Sequence, residues 1–221
     1  MVAISKKNIF LSPPHLSGNE LKYIQSSFES NQVSSEGKNI EVFENSLQTY
    51  LEQNKQVAAL SSGTAAIHLA LIIAGVQPND EVICQNFTFS ASANPIAYLG
   101  AKPIFIDSER ESWNMCPLLL EEAIQDRISK GKKPKAIIVV HLYGMPAMMD
   151  EICAIAKKYE ITLIEDAAEA LGSEVNRQKC GTFGDFGILS FNGNKIITTS
   201  GGGALVCKDE ITKNKAIFLA T

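Results

Sequence analysis

Arginine is scarce in this chain. Arg110, Arg127 and Arg177 are the only three in 221 residues, against 17 lysines scattered without a basic run. Net charge is −4, so the cationic face that nucleic acid requires is missing. No apolar run reaches membrane-spanning length, and the opening MVAISKKNIFLSPPH holds no signal-peptide core. Neither nucleic acid nor membrane is expected as a partner. Cysteine is sparse and poorly placed: Cys84, Cys116, Cys153, Cys180 and Cys207 are odd in number, widely spaced, form no CxxC and pair with no nearby histidine. That argues against a metal site and against a disulfide framework, and it fits a reduced, cytoplasmic setting. Internal repeats and low-complexity segments are lacking too.

What is present is an ordinary globular composition, 45% hydrophobic and 20% charged, with length for one good core or just under two small ones. Apolar spacing predicts helices over Asn19 to Phe28 and Ile40 to Leu51, separated by the polar loop Asn31 to Gly37. Strand and helix then alternate. Strands are predicted at Val57–Leu60, Glu81–Cys84, Pro103–Ile106, Ala136–Val140 and Ile161–Ile164, and helices at Thr64–Ala74, Ala91–Leu99, Leu118–Ile128 and Met149–Lys158. This alternation implies an α/β fold with a mainly parallel sheet covered by helices on both faces. From Gly172 onward short segments alternate with glycine turns, which predicts one or more strands of different direction. The last stretch, Ile211 to Thr221, reads as a helix without a C-cap. A fragment is therefore expected.

Three pieces carry chemistry. The strand Val57–Leu60 runs into Ser61-Ser62-Gly63-Thr64 and straight into a helix. Such a helix start offers unpaired amides and partial positive charge to a phosphate, Gly63 permits close approach, and the Thr64 hydroxyl adds a donor. Taken alone, the same residues make an ordinary N-cap. The strand Ile161–Ile164 delivers Glu165 and Asp166 to the carboxyl end of the sheet, where α/β proteins place ligands. A carboxylate there can pair with a protonated pyridine nitrogen, although a capping aspartate is the plain alternative. Lys195 lies between Asn192-Gly193-Asn194 and Gly201-Gly202-Gly203, in small, polar, tightly turned surroundings where desolvation can free its amine. Most lysines simply stay in solvent. A reactive amine, an acid and a phosphate cradle together point to pyridoxal 5'-phosphate (PLP), whose protonated ring is an electron sink. Ser190 can add a hydroxyl to the same phosphate, and Phe89 can stack on a flat ring or pack in the core. His141 ends a strand and is a candidate lining residue, whereas His68, one turn past Thr64, reads as packing.

Taken in order, FLSPPHLSGNELKYI, SSGTAAIHLAL, DEVICQNFTFSASANPI, GAKPIFID, VVHLYGMPAMMDEI, LIEDAAEALGS, GTFGDFGILSF and NGNKIITTSGGG resemble the DegT/DnrJ/EryC1/StrS family of PLP-dependent sugar aminotransferases. The resemblance covers essentially residues 1–221. It implies the three-layer αβα large domain of fold type I PLP-dependent transferases, after an N-terminal segment, with the C-terminal small domain missing. Carried over by position, Lys195 looks like the Schiff-base lysine and Asp166 like the partner of the pyridine nitrogen. Gly63, Thr64, Ala65 and Ser190 look like phosphate contacts, and Phe89 like the ring-stacking aromatic. Glu169 stands near the ring where many relatives carry Gln or His, and Asn31 to Ser34 aligns with a substrate-side loop. SPPH and NGNKIITTSGGG are similar to the aminotransferases that make UDP-4-amino-4,6-dideoxy-N-acetylglucosamine for bacillosamine and related surface glycans.

The resemblance further implies a homodimer that passes an amino group from L-glutamate to a 4-keto-6-deoxy sugar nucleotide in two half-reactions. Lys195 would be nucleophile and proton carrier in both. None of the three arginines falls in a motif, so the donor carboxylate is expected to be bound beyond Thr221 or without arginine. Two rivals stay open at this point. One is another fold type I PLP enzyme, such as a lyase or desulfurase. The other is a truncated or non-catalytic relative that binds or regulates.

Overall fold

A computed structural model describes residues 9–221 apart from Gln53. Two helices open the chain, α1 (Glu20–Glu29) and α2 (Lys38–Leu51), followed by β1 (Gln56–Leu60), α3 (Gly63–Ile73) and β2 (Glu81–Gln85). Then come α4 (Asn94–Tyr98), β3 (Lys102–Ile106), α5 (Pro117–Ser129), β4 (Ala136–Val140), α6 (Met149–Tyr159) and β5 (Thr162–Asp166). A two-stranded hairpin, β6 (Glu174–Val175) and β7 (Gln178–Lys179), precedes β8 (Phe186–Ser190), β9 (Gly203–Cys207) and α7 (Glu210–Ala220).

Seven strands form one sheet in the order β1-β9-β8-β5-β4-β2-β3. Pairings are parallel except at β9, which runs antiparallel to both β1 and β8. The sheet is therefore mainly parallel, with one reversed strand, and the reversal falls in the glycine-punctuated region after Gly172.

Both faces are covered because successive side chains of a strand point to opposite sides. On β4, Ala136 and Ile138 join Ala66, Ala70 and Ile96 of α3 and α4 in one buried cluster, with Ala216 of α7. Their neighbours Ile137 and Val139 join Leu120 and Ile124 of α5 and Ile152 and Ile155 of α6. A third cluster, on the second face near β1, packs Leu47 and Leu51 of α2 on Val57, Leu189 and Val206. The continuous apolar runs of the strands follow from this double cover. In α3 the buried positions include Ala66, Ile67, Leu69, Ala70 and Leu71 in near-succession, as befits a helix enclosed on most sides. In contrast α6 buries only a stripe, Met149, Ile152, Ile155 and Ala156. Asp150 and Glu151 in its first turn and Lys157 and Lys158 in its last oppose the helix dipole favourably.

One predicted element is different. Ala91 to Leu99 is not a single helix. A short 3-10 turn, Ser90–Ser92, is followed by α4, which starts afresh with Pro95 in its first turn. Proline lacks the N–H that an interior position would donate and its ring clashes with the preceding turn, so it sits only where a helix begins.

Candidate active site

Segments leaving the carboxyl ends of β1, β2, β4, β5 and β8 converge at one edge of the sheet, and the segment entering β9 returns there. They enclose a cavity of about 640 Å³. Its lining includes Ser61 to Thr64, Phe87 to Phe89, His141 to Tyr143, Asp166, Glu169, Ser190, Lys195 and Gly201-Gly202. Parallel sheets offer ligand sites at this edge because their loops and helix N-termini all point to it.

The helix start is built by Ser62 and two glycines. Ser62 caps α3, its hydroxyl accepting the Ala65 N–H at 3.1 Å and its carbonyl the Ala66 N–H at 3.1 Å. The amides of Gly63 and Thr64 come before any acceptor the helix can provide, which leaves them for an anion. A side chain at Gly203 would drive its Cβ into the Ser62 carbonyl, so β9 can cross here only as glycine. At Gly63 a Cβ would meet that of Ser190 at 3.1 Å, which brings the Ser190 hydroxyl against the helix start.

Opposite lies a buried carboxylate. Asp166 Oδ2 accepts from the Ser92 hydroxyl at 2.7 Å and Oδ1 from the Ala168 N–H at 3.3 Å. Ser92 is itself 2.8 Å from the Thr88 hydroxyl. No lysine, arginine or histidine lies within ion-pair distance of Asp166 among the described residues. Burial pushes its carboxyl above the usual aspartate range, against the weaker opposing pull of those two hydrogen bonds and of the more distant Lys195 and His141. A buried acid with no cation beside it is suited to a ligand that brings one.

Lys195 enters from the turn after β8, where its N–H donates to the Asn192 carbonyl at 3.0 Å. Its Nζ lies 3.0 Å from Glu169 Oε1, and its side chain is only 12% exposed. Phe89 borders the cavity with 76% of its surface open, free of the core. His141 is fixed on both nitrogens: Nδ1 accepts the Ala147 N–H at 3.1 Å, and Nε2 lies 3.2 Å from Glu165 Oε2. Since Nδ1 accepts, the neutral ring carries its proton on Nε2 and donates it to Glu165. Glu165, fully buried, also accepts from the Gly181 and Gly184 amides at 2.8 and 2.6 Å.

Gly63, Thr64, Phe89, Asp166, Glu169, Ser190 and Lys195 are thus gathered around one space. Ala65 is not among the lining residues, and its amide is spent on the Ser62 cap. Asn31 and Ser34 lie on an exposed loop away from the cavity; Asn31 has φ of 56°, and the Ser34 hydroxyl donates to the Glu36 carbonyl. None of the three arginines lines the cavity, and Arg127 is committed elsewhere, donating through Nε and Nη2 to Glu81 at 2.7 and 2.6 Å. His68 packs edge-on against Tyr98, as its helical position predicts. Ser92 and the His141–Glu165 pair are participants that the motifs did not reveal. Pro95, which restarts the helix, was the available sign that Ser92 belongs to a separate turn.

An anion-binding helix start, a buried acid awaiting a cation, an open aromatic face and a lysine amine surround a space wide enough for a flat ring carrying a phosphate. The donor set fits PLP: Gly63, Thr64 and Ser190 could hold its phosphate, Asp166 its ring nitrogen, and Lys195 could offer an amine to its aldehyde.

Comparison with known proteins gives a consistent result. The family model described as the DegT/DnrJ/EryC1/StrS aminotransferase family matches residues 14–221. The chain is 53% identical over 215 residues to a protein named putative pyridoxal phosphate-dependent aminotransferase EpsN of Bacillus subtilis (strain 168), covering 97% of this chain and 55% of that one. It is 41% identical over 213 residues to GDP-perosamine synthase of Escherichia coli O157:H7, covering 96% and 56%. Among solved structures, the PLP form of the putative sugar aminotransferase Spr1654 from Streptococcus pneumoniae superposes with a TM-score of 0.87 at 29% identity, covering 96% of this chain and 58% of that one. The chain spans little more than half the length of these relatives.

Proposed function

Since the chain belongs to the DegT/DnrJ/EryC1/StrS aminotransferase family, we propose that it is the PLP-binding part of an enzyme that moves an amino group from L-glutamate to a keto sugar nucleotide. The observation that carries this reading is the single cavity joining the amine of Lys195, the cation-free carboxylate of Asp166 and the start of α3. When bound, PLP supplies an aldehyde that condenses with amines and a protonated ring that draws electrons from the substrate carbon.

The chain's residues divide the work. The Gly63 and Thr64 amides and the Ser190 hydroxyl hold the phosphate, and Phe89 covers one face of the ring. Asp166 keeps the ring nitrogen protonated, because a buried carboxylate gains by pairing with a cation. Ser92, backed by Thr88, fixes the carboxylate's orientation from behind. Lys195 Nζ would anchor the cofactor and, as a free amine, would take a proton from the donor's α-carbon and later deliver one to the sugar carbon. Residues Asn31 to Ser34 are assigned to the sugar-nucleotide side, contributed within a homodimer. A dimer is supported by α1, which buries none of its residues and leaves Leu21, Ile24 and Phe28 exposed.

The acceptor is taken to be a UDP-linked 4-keto-6-deoxy-N-acetylhexosamine, made in the cytoplasm for a surface glycan. SPPH and NGNKIITTSGGG support that choice, and a GDP-linked sugar competes with it because one relative is a GDP-perosamine synthase. Incubating the full-length protein with PLP, glutamate and either nucleotide sugar tests the reading. Amino sugar and 2-oxoglutarate in equal amounts are expected, with UDP preferred. Elimination or desulfuration of free amino acids, with no transfer to either sugar, would contradict it.

A further inference from the structure

Beside the cavity of Lys195 and Asp166 lies a smaller one of about 380 Å³, lined by Asn86, Phe87, Asp107, Ser108 and Trp113. Phe87 lines both, so the two adjoin. The walls of the smaller cavity come from the segments leaving β2 and β3, which run parallel and end at the same edge of the sheet. Trp113 meets Phe87 with ring centroids 5.7 Å apart and keeps 57% of its surface open. Its φ of 64° is uncommon for a bulky residue, and the loop is tied down on both sides of it. Glu109 accepts from the amides of Glu111, Ser112 and Asn114 at 2.6, 2.8 and 3.3 Å. The buried Asn114 donates to the Met145 carbonyl and accepts the Leu142 N–H, both at 2.9 Å. An aromatic face is thus held in place before any ligand arrives. Asp107 shares the wall. Its Oδ1 accepts from the Ser108 N–H at 2.8 Å and from Asn86 Nδ2 at 3.1 Å, whereas Oδ2 accepts nothing among the described residues. Those two bonds hold its carboxyl below the usual aspartate range.

We propose that this smaller cavity is a nucleoside subsite, in which the base of the sugar nucleotide stacks on the open face of Trp113 and a ribose hydroxyl donates to Asp107 Oδ2. This deepens the preceding reading and rests on a sugar nucleotide as the substrate. The hexose must reach the larger cavity, and the nucleoside, a diphosphate away from it, needs a place just outside. The wall chemistry selects the piece. A carboxylate with no lysine or arginine among the lining residues repels a diphosphate, yet it is a strong acceptor for a neutral hydroxyl. A fixed aromatic face stacks any base, because every base has a π-face, and holding it ready reduces the ordering cost of binding. Ribose is common to UDP and GDP, so the subsite serves either.

The test measures binding of UDP, GDP and their 2′,3′-dideoxy forms to full-length, PLP-loaded protein by calorimetry. Trp113→Ala is expected to weaken the nucleotide that wild type binds by about tenfold or more, and Trp113→Phe to restore most of it. Asp107→Ala is expected to weaken it about tenfold. Wild type should lose the same factor on passing to the dideoxy nucleotide, and Asp107→Ala should lose nothing further, because hydroxyl and carboxylate form one interaction. The borohydride label on Lys195 should be equal in every variant. Unchanged nucleotide binding in Trp113→Ala and Asp107→Ala, with Lys195 labelled, would overturn this inference alone. A lower sedimentation coefficient for Trp113→Ala with unchanged nucleotide binding would assign the aromatic face to a contact between subunits and overturn it as well. Wild type that binds neither UDP nor GDP, though labelled on Lys195, would overturn the sugar-nucleotide reading and this inference with it.

Discussion

At the scale of single residues, two side chains sit in settings that differ from the ordinary behaviour of their type. Lys195 is largely withdrawn from solvent. Lys195→Ala is expected to lower amino transfer by ~10³-fold or more, since nucleophile and proton carrier go together. The melting temperature should hardly move, because a partly exposed ion pair contributes little. Transfer near the wild-type rate would contradict the role. Asp166 is buried without a cation, and its folded-state pKa is raised by that burial. A carboxyl of this kind binds its proton more tightly folded than unfolded, so its contribution to stability is favourable at acid pH and is lost as pH rises through the folded value. Asp166→Asn is therefore expected to raise the melting temperature of cofactor-free protein at pH 8 by about 2–4 °C, what ~1 kcal/mol brings in a domain of this size. The gain should vanish below about pH 4, where the aspartate of the unfolded chain is also neutral. The same variant should bind PLP more weakly. Thermal scans with and without cofactor across that pH range check both signs.

Elements hold these residues through contacts that connect distant parts of the chain. Glu165 ties β5 to the segment before β8 by accepting from Gly181 and Gly184, and it orients His141 at the end of β4. Glu165→Ala leaves the buried Gly181 amide and the half-buried Gly184 amide without an acceptor and is expected to cost about 1–3 kcal/mol, chiefly through the first. Glu165→Gln should recover part of that, because one amide oxygen remains to accept. A urea midpoint unchanged in Glu165→Ala would show that the knot is dispensable. The run AIIVV at Ala136–Val140 announces β4 to the residue, because β-branched residues buried on both faces leave no other element of that length. Helices α3 and α6 were legible from their apolar spacing, and their ends differ from expectation by a single residue. Periodicity is local, however, and the Ser92–Asp166 and His141–Glu165 bonds join positions 74 and 24 residues apart. Pattern alone cannot foresee which polar groups a sheet will bring together. Family position likewise gave Ala65 a place beside the phosphate, whereas its amide is taken by the Ser62 cap.

For the molecule as a whole, the sheet order explains why the pieces meet. Four parallel neighbours, β8, β5, β4 and β2, present their carboxyl ends side by side, and the reversed β9 brings its first residues back to the same edge. The alternation of strands and helices was enough to foresee that edge, and the glycine turns after Gly172 foretold a change of strand direction without saying which strand. The outer surface carries a prediction of its own. Leu21, Ile24 and Phe28 lie on one stripe of α1 and are exposed, an apolar face that soluble proteins usually cover. The full-length protein is expected to sediment as a dimer, and Ile24→Glu with Phe28→Glu to shift it toward monomer. A wild-type monomer at micromolar concentration would remove the dimer from the account.

The most direct test of the central claim is to mix the full-length protein with PLP, reduce with borohydride and identify the modified peptide by mass spectrometry. A single phosphopyridoxyl label on Lys195 is expected. Label on another lysine, or none on Lys195, would contradict it.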